Sequence, residues 1–286
     1  MRRAKSLKPL VGATRCARIE YEHRAFFRNA AKLFPKPTVP RIVLIAIVDK
    51  AGRGGTRKVE EAFEAVERRY AEEGLRLRSP VSAEIVSMPI MGASKSLRDR
   101  HTLFVSVRAV QSGTLDGLVA HEMGHMLRTE AHHASHDPDV YRKMGREVRI
   151  PRAAEGAFSG AFNHIQDIYA DDLAFLVFAS DGGDRAYRFF AGWIDGNAEM
   201  RGQDRWQNVG LAVTNGFALG NLVRHRLIRT DDPLWDRARA FDREAGFTAV
   251  DSFAEFFANL PNDPSAETFL LQVRTLAGLM TKAAET

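Results

Sequence analysis

The pattern of hydrophobic and polar residues predicts strands in the first half of the chain. Residues 41–48 form a continuous β-branched run, which predicts a buried strand. Apolar residues then recur at helical spacing over 57–74, and further strands are predicted at 81–88 and 103–110. The predicted order up to the helix that follows Thr114 is therefore β-α-β-β-α.

The second half of the chain has a different pattern, because strand signals disappear after residue 180. Helices are predicted near 184–195, 205–228, 234–244, 250–260 and 264–283. We therefore expect an α+β fold with an all-helical second half. Its predicted parts are a basic segment at 1–40, a mixed core at 41–180 and a helical subdomain at 181–286 that packs on the core.

Composition limits the classes of protein that fit. The chain has 286 residues and is 45% hydrophobic, which is enough for a buried core. It has no run of 18 apolar residues and no apolar signal region, so we expect a cytoplasmic protein that does not enter the membrane. Its single cysteine, Cys16, cannot form a disulfide within the chain or a multi-cysteine metal site. Any metal would therefore be bound by His, Asp and Glu.

The net charge of +5 comes from the first 40 residues, which hold ten Lys and Arg against Glu20 and Glu22. Such a segment is typical of a solvated tail or of an arm that binds an acidic surface. No finger or aromatic stacking pattern accompanies it, so a nucleic-acid partner is not expected. A glycine-rich stretch at 51–58 lacks the spacing of a phosphate-binding loop and is interpreted as a turn.

The segment His121-Glu122-Met123-Gly124-His125 carries the strongest chemical signal. It lies in a predicted helix, where His121 and His125 stand one turn apart and away from the centre of the apolar stripe. Two imidazoles about 6 Å apart along the axis can converge on one zinc ion. Glu122 points out of the ligand plane and is the predicted general base for a zinc-activated water. The alternative is an ordinary solvent-facing pair of histidines.

A third ligand is predicted in the segment around residues 163–172, where His164, Asp167 and Asp171 share one helical face. Asp167 is the predicted third zinc ligand, and His164 is an alternative. Asp171, one turn further on, is predicted to accept a hydrogen bond from a ligating histidine and so to orient its ring. The same residues would also fit a solvated acidic face.

Together these segments resemble the gluzincin clan of zinc metallopeptidases. In that clan a helix downstream of HExxH reads Glu-x-x-Ala-Asp or Glu-x-x-x-Asp, and here the matching residues are Asp167 and Asp171. The resemblance implies a zincin-like core over about 41–178, with an extended peptide bound along the edge of the strand at 103–110. Asp167 stands where the clan usually has Glu, so the two helices must lie closer together, although aspzincins do use an Asp ligand.

Other residues remain as candidates. Phe253-Ala254-Glu255 resembles the helix that supplies the third ligand in peptidases similar to anthrax lethal factor and the Mlc titration factor, which makes Glu255 a rival ligand. Six of the nine histidines fall between residues 121 and 164. Candidates to stabilise an oxyanion are His132, His133, His136 and Tyr169; the histidines fit a polar loop equally well.

The sequence thus predicts a zinc-dependent metallopeptidase with one Zn²⁺ per chain and a peptide or protein as its substrate. The alternative is a zincin-fold module that binds a metal or a protein partner without turnover. The sequence does not identify the oligomeric state.

Overall fold

The computed structural model describes residues 43–178 and 183–286. The predicted basic segment at 1–40 lies outside the described residues. The described chain is a mixed α/β structure in which a small four-stranded sheet is followed by helices.

The sheet contains β1 (Leu44–Asp49), β2 (Val81–Val86), β3 (Gly92–Ser96) and β4 (His101–Ser106). Their order across the sheet is β1-β2-β4-β3. β1, β2 and β4 run parallel, whereas β3 is antiparallel to β4 and forms one edge.

Helices account for most of the remaining residues, and none of those described has the length and apolar composition needed to span a bilayer. They are α1 (Thr56–Glu72), α2 (Val107–Gln111), α3 (Leu115–Glu130), α4 (Pro138–Glu147), α5 (Glu155–Phe178), α6 (Gly183–Glu199), α7 (Arg205–Arg224), α8 (Pro233–Ala245), α9 (Val250–Ala258) and α10 (Ala266–Glu285). Short 3-10 turns occur at Ala134–His136 and Arg152–Ala154.

The predicted strand at 103–110 is wrong in its second half and in its position. The chain leaves the sheet at Ser106, whose side chain accepts a hydrogen bond from the Ala109 backbone N–H (3.1 Å) and caps α2. β4 also lies inside the sheet, between β2 and β3. The edge strand is β3, which the predicted β-α-β-β-α order omitted because its sequence GASKS has no β-branched or aromatic residue.

The prediction of a buried first strand is also wrong. Among the strands that the structure describes, β1 is the other edge of the sheet, and the side chains of Ile45 and Val48 are 61% and 48% exposed. The turn after β1 is held by the Asp49 carboxylate, which accepts backbone N–H groups from Ala51, Gly52 and Gly54 at 3.1, 2.9 and 2.6 Å. Because a carboxylate already occupies these donors, this segment is a βα turn, as predicted.

Two hydrophobic cores hold the described chain together. The first lies between the sheet, α1, α3 and the last turns of α5, and includes Phe63, Tyr70 and Met123. The second lies among α5 to α10 and includes Phe217 and Phe253. Helix α5 contributes to both cores, so it links the sheet to the helical half.

The C-terminal end of α3 is fixed to the sheet by the buried carboxylate of Glu130. It accepts backbone N–H groups from Arg78 and Ser79, each at 2.7 Å, and lies 3.1 Å from His101 Nε2. Burial opposes ionisation of Glu130, but the hydrogen bonds from His101 and from the two backbone amides outweigh it and lower its pKa. A carboxyl with a lowered folded pKa stabilises the protein above its unfolded pKa, and this contribution disappears as the pH falls through the folded pKa.

We expect Glu130→Ala to lower the free energy of unfolding by about 3 kcal/mol at pH 7, because buried donors then lack an acceptor. Urea denaturation would measure the loss. The control Glu64→Ala, at an exposed position of α1, should change the value by less than about 0.5 kcal/mol. Equal losses in the two variants would contradict this role of Glu130.

Candidate metal centre

Helices α3 and α5 cross closely at Gly124, the fourth residue of the HEMGH segment. A Cβ atom at this position would lie only 2.6 Å from the carbonyl oxygen of Ala170 on α5. The missing side chain lets the two backbones approach within ordinary van der Waals distance. This close approach supplies the short separation that an aspartate in place of glutamate requires.

The crossing brings together His121, His125 and Asp167, the three predicted ligands. The two Nε2 atoms are 3.1 Å apart. Asp167 Oδ1 lies 3.4 Å from His125 Nε2 and 3.7 Å from His121 Nε2. Among the residues that the structure describes, these three form the one cluster of His, Cys, Asp and Glu with ligand atoms close enough to hold a metal ion.

These distances are within about 0.2 Å of those on one face of a tetrahedral zinc site. Ligand atoms at 2.0–2.2 Å from a tetrahedral ion are about 3.3 to 3.6 Å from one another. The point equidistant from the three atoms in their plane lies about 2.0 Å from each of them. An ion slightly above that plane would reach all three at zinc distances and keep a fourth position for another ligand.

Asp171 holds the ring of His121 from the side opposite the triad. Its Oδ1 lies 2.7 Å from His121 Nδ1, and its Oδ2 accepts a hydrogen bond from Asn221 Nδ2 at 2.5 Å. A carboxylate is only an acceptor, so His121 donates its Nδ1–H and can present the Nε2 lone pair to a metal. This contact is the one predicted for Asp171 from helical spacing.

His164 lies beside Asp167, and its ring does not join the imidazoles of His121 and His125. Its Nδ1 donates to Asp167 Oδ2 at 3.3 Å, and its Nε2 lies 3.0 Å from Thr214 Oγ1. The ring also stacks on Phe217, with centroids 4.4 Å apart. His164 is therefore placed to orient Asp167, and the prediction of His164 as an alternative third ligand is wrong.

The electrostatics of the triad favour a cation. Burial disfavours the charged form of His121, but the carboxylates of Asp171 and Asp167 outweigh it and raise the pKa of His121 to about 10. Burial likewise opposes ionisation of Asp167, yet the adjacent imidazoles of His125, His164 and His121 lower its pKa. A proton and a metal ion would therefore compete for the lone pairs of the triad.

Glu122 is the remaining member of the HExxH pattern. Its side chain is 5% exposed, and its carboxylate is close enough to His121 to contribute to the raised pKa of that ring. Within the described parts of the chain, no hydrogen-bond donor engages this carboxylate. It is therefore a buried acceptor that is still available to a substrate or a water molecule.

The structure separates the rival ligand Glu255 from the triad. Glu255 is exposed on α9, while the buried side of that helix carries Phe253 and Phe257. The Phe-Ala-Glu segment is a core helix of the second half, and the prediction of Glu255 as an alternative third ligand is wrong.

The four candidates for oxyanion stabilisation are not grouped at the triad. His132 is exposed in a left-handed turn with φ 53°. Tyr169 is fully buried, and its hydroxyl donates to Gln272 at 3.1 Å. His133 and His136 lie behind His125, and both nitrogens of His136 are already within 2.7 Å of a partner. The polar atoms of His136 and the hydroxyl of Tyr169 are therefore engaged by other groups of the protein.

Sequence reasoning missed Gly124 and Asn221 as parts of the site. Gly124 carried a usable signal, because a glycine in the middle of an amphipathic helix points to close approach of another backbone. Asn221 had no such signal, since it lies 50 residues from Asp171 and its role depends on how α7 packs against α5.

Comparison with known proteins gives a family for the chain but no activity. Residues 61–276 match a family described as "Family of unknown function (DUF5781)", and the chain belongs to that family. The matched range includes the whole triad and Glu122. No curated protein and no solved structure matches the chain.

We expect Gly124→Ala to push α3 and α5 apart, because its Cβ would overlap the Ala170 carbonyl. The free energy of unfolding of the metal-free protein should fall by about 1 to 3 kcal/mol in urea denaturation. The matched control is Gly117→Ala on the same helix, where no atom lies within 4 Å of the added Cβ. Gly117→Ala should be neutral or stabilising by roughly 0.5–1 kcal/mol, and equal destabilisation of both variants would contradict the close crossing.

Proposed function

We propose that this protein is a zinc-dependent metallopeptidase of the gluzincin type, with one Zn²⁺ bound by His121, His125 and Asp167. The observation that carries the proposal is the spacing of 3.1, 3.4 and 3.7 Å among the three ligand atoms. Two features support it further. Asp171 fixes the His121 ring, and Glu122 lies in the same helix as a buried acceptor.

Each residue has a distinct part in the proposed reaction. Zinc bound at the triad would act as a Lewis acid and lower the pKa of a coordinated water from 15.7 towards about 7. Glu122 takes the proton from the attacking water as general base and transfers it to the leaving amine as general acid. Asp171 and His164 keep His121 and Asp167 in their binding orientations through the hydrogen bonds described above.

The arrangement of the sheet supports a zincin-like core, with β3 in the role expected of the strand at 103–110. β3 is an antiparallel edge strand that packs against α3, the helix of the HEMGH segment. The outer side of an edge strand presents backbone N–H and C=O groups to which an extended peptide can add as a further strand. We therefore assign peptide binding to β3, with a peptide or protein as substrate.

The proposal predicts that purified protein binds zinc in near-equal amount and hydrolyses peptides from a broad library. Glu122→Gln should keep the zinc and lose peptidase activity by a factor of about 10² to 10⁴, because it lacks the general base. The control Glu267→Gln, at an exposed position of α10, should keep both properties. Zinc binding without turnover in the wild type would instead favour the non-catalytic binding module, and absence of zinc binding would contradict the metallopeptidase.

The choice of third ligand has its own test. Asp167→Ala should weaken zinc binding by more than the 10 to 100-fold that is typical of residues that only support a ligand. Glu255→Ala should leave zinc affinity unchanged, because that side chain is exposed on α9. Competition with a chromophoric chelator would measure both. Loss of zinc in Glu255→Ala but not in Asp167→Ala would contradict the assigned triad.

A further inference from the structure

A chain of hydrogen bonds runs from His125 away from the triad, through His136 and Ser135, to His133. His125 Nδ1 lies 2.7 Å from His136 Nε2, and His136 Nδ1 lies 2.7 Å from Ser135 Oγ. Ser135 Oγ in turn lies 2.7 Å from His133 Nδ1. Each imidazole and hydroxyl in this chain can either donate or accept, so the direction of every bond depends on one fixed donor.

The fixed donor is the backbone N–H of Ser135, which points at His133 Nδ1 at 3.3 Å. A backbone amide can only donate, so His133 Nδ1 is an acceptor and carries no hydrogen. Burial and the positive charge of Arg128 lower the pKa of His133 to about 3, which keeps the ring neutral. Its hydrogen is therefore on Nε2, which lies 3.9 Å from Asp263 Oδ1.

Because His133 Nδ1 is an acceptor, the direction of the remaining hydrogen bonds is determined. Since His133 Nδ1 accepts, the Ser135 hydroxyl donates to it, and the Ser135 oxygen accepts from His136 Nδ1–H. A neutral imidazole donates from one nitrogen and accepts at the other, so His136, which donates from Nδ1, presents a lone pair at Nε2. His136 Nε2 then accepts from His125 Nδ1–H.

The direction of this hydrogen-bond chain determines which nitrogen of His125 is free to bind a metal. A neutral His125 with its hydrogen on Nδ1 has a lone pair on Nε2, the atom that faces His121 Nε2 at 3.1 Å and Asp167 Oδ1 at 3.4 Å. The opposite direction of the chain would put a hydrogen on His125 Nε2 and block metal binding there. A metal-binding imidazole normally has its other nitrogen fixed by a carboxylate, a carbonyl or water, and here a neutral histidine takes that place.

Ser135 is itself held by the helix that carries the third ligand. Its carbonyl oxygen accepts hydrogen bonds from Gln166 Nε2 at 3.1 Å and from the hydroxyl of Tyr141. Gln166 immediately precedes Asp167 on α5. The hydrogen-bond chain is thus anchored to the helix that carries Asp167. This anchor fixes the position of His125 relative to Asp167.

We propose that Ser135 and His136 are positioning residues that fix His125 in the tautomer with a free Nε2, in the orientation needed to bind the metal. That this positioning contributes to zinc affinity rests on the proposed function. The direction of the hydrogen-bond chain is a property of the protein itself.

The test measures zinc affinity in full-length protein by competition with a chromophoric chelator. His136→Leu, which removes the acceptor for His125, should weaken zinc binding about 10 to 100-fold. Ser135→Ala should weaken it in the same direction, because His136 is no longer held in one tautomer. His136→Gln, whose amide oxygen can accept from His125 Nδ1–H, should recover most of the affinity lost in His136→Leu.

The matched control is Ser106→Ala, which also removes a buried serine hydroxyl with a local structural role but lies outside this chain. It should lower thermal stability without changing zinc affinity. If Ser135→Ala and His136→Leu fold and bind zinc as tightly as the wild type does, the positioning role is overturned, while the zinc site itself stands.

A second readout does not depend on zinc and covers the case in which a variant fails to fold. Long-range ¹H–¹⁵N NMR of the metal-free wild type reports which nitrogen of each imidazole carries the hydrogen. We expect hydrogen on Nδ1 for His125 and His136 and on Nε2 for His133. Hydrogen on Nε2 alone in His125 would overturn the inference even if zinc binds, whereas the expected tautomers without zinc binding would overturn only the proposed function.

Discussion

The candidate site depends on the close contact between α3 and α5 at Gly124 and Ala170. A side chain at Gly124 would meet a backbone carbonyl, which cannot move without displacing the whole helix. This contact sets how far the HEMGH helix stands from the helix that carries both aspartates. The short side chain of Asp167 can reach the two imidazoles only because the separation is small, so the contact determines which side chains meet at the site.

The hydrogen bonds around this contact have fixed donors and acceptors, and together they fix which nitrogen of each imidazole carries a hydrogen. Carboxylates accept from the outer nitrogen of His121 and from His164, while a backbone amide fixes the direction of the bonds that end at His125. The result is a set of half-buried lone pairs that face a common point. Three such groups repel one another unless a cation lies between them, so the arrangement is stable with a proton or a metal ion but strained without either.

Sequence patterns predicted many of the helices, and the side chains that meet where α3 and α5 cross, because both depend on local periodicity. The spacing of His121, His125, Asp167 and Asp171 on helical faces was sufficient to predict which side chains meet. The sheet was harder, because β3 has small polar residues and owes its strand conformation to pairing with β4. The prediction that the first strand is buried was wrong for a related reason, because β-branched composition predicts a strand but not whether it lies at an edge. Glu255 and His164 show that a ligand-type residue in a familiar pattern also needs a tertiary position, which spacing alone does not provide.

Anomalous diffraction at the zinc absorption edge, from crystals of the protein grown with zinc, would locate the ion and its ligands together. We expect a single strong peak per chain, within about 2.0 to 2.2 Å of His121 Nε2, His125 Nε2 and Asp167 Oδ1. A peak bound by other residues, or none at the crossing of α3 and α5 in zinc-saturated crystals, would contradict this expectation.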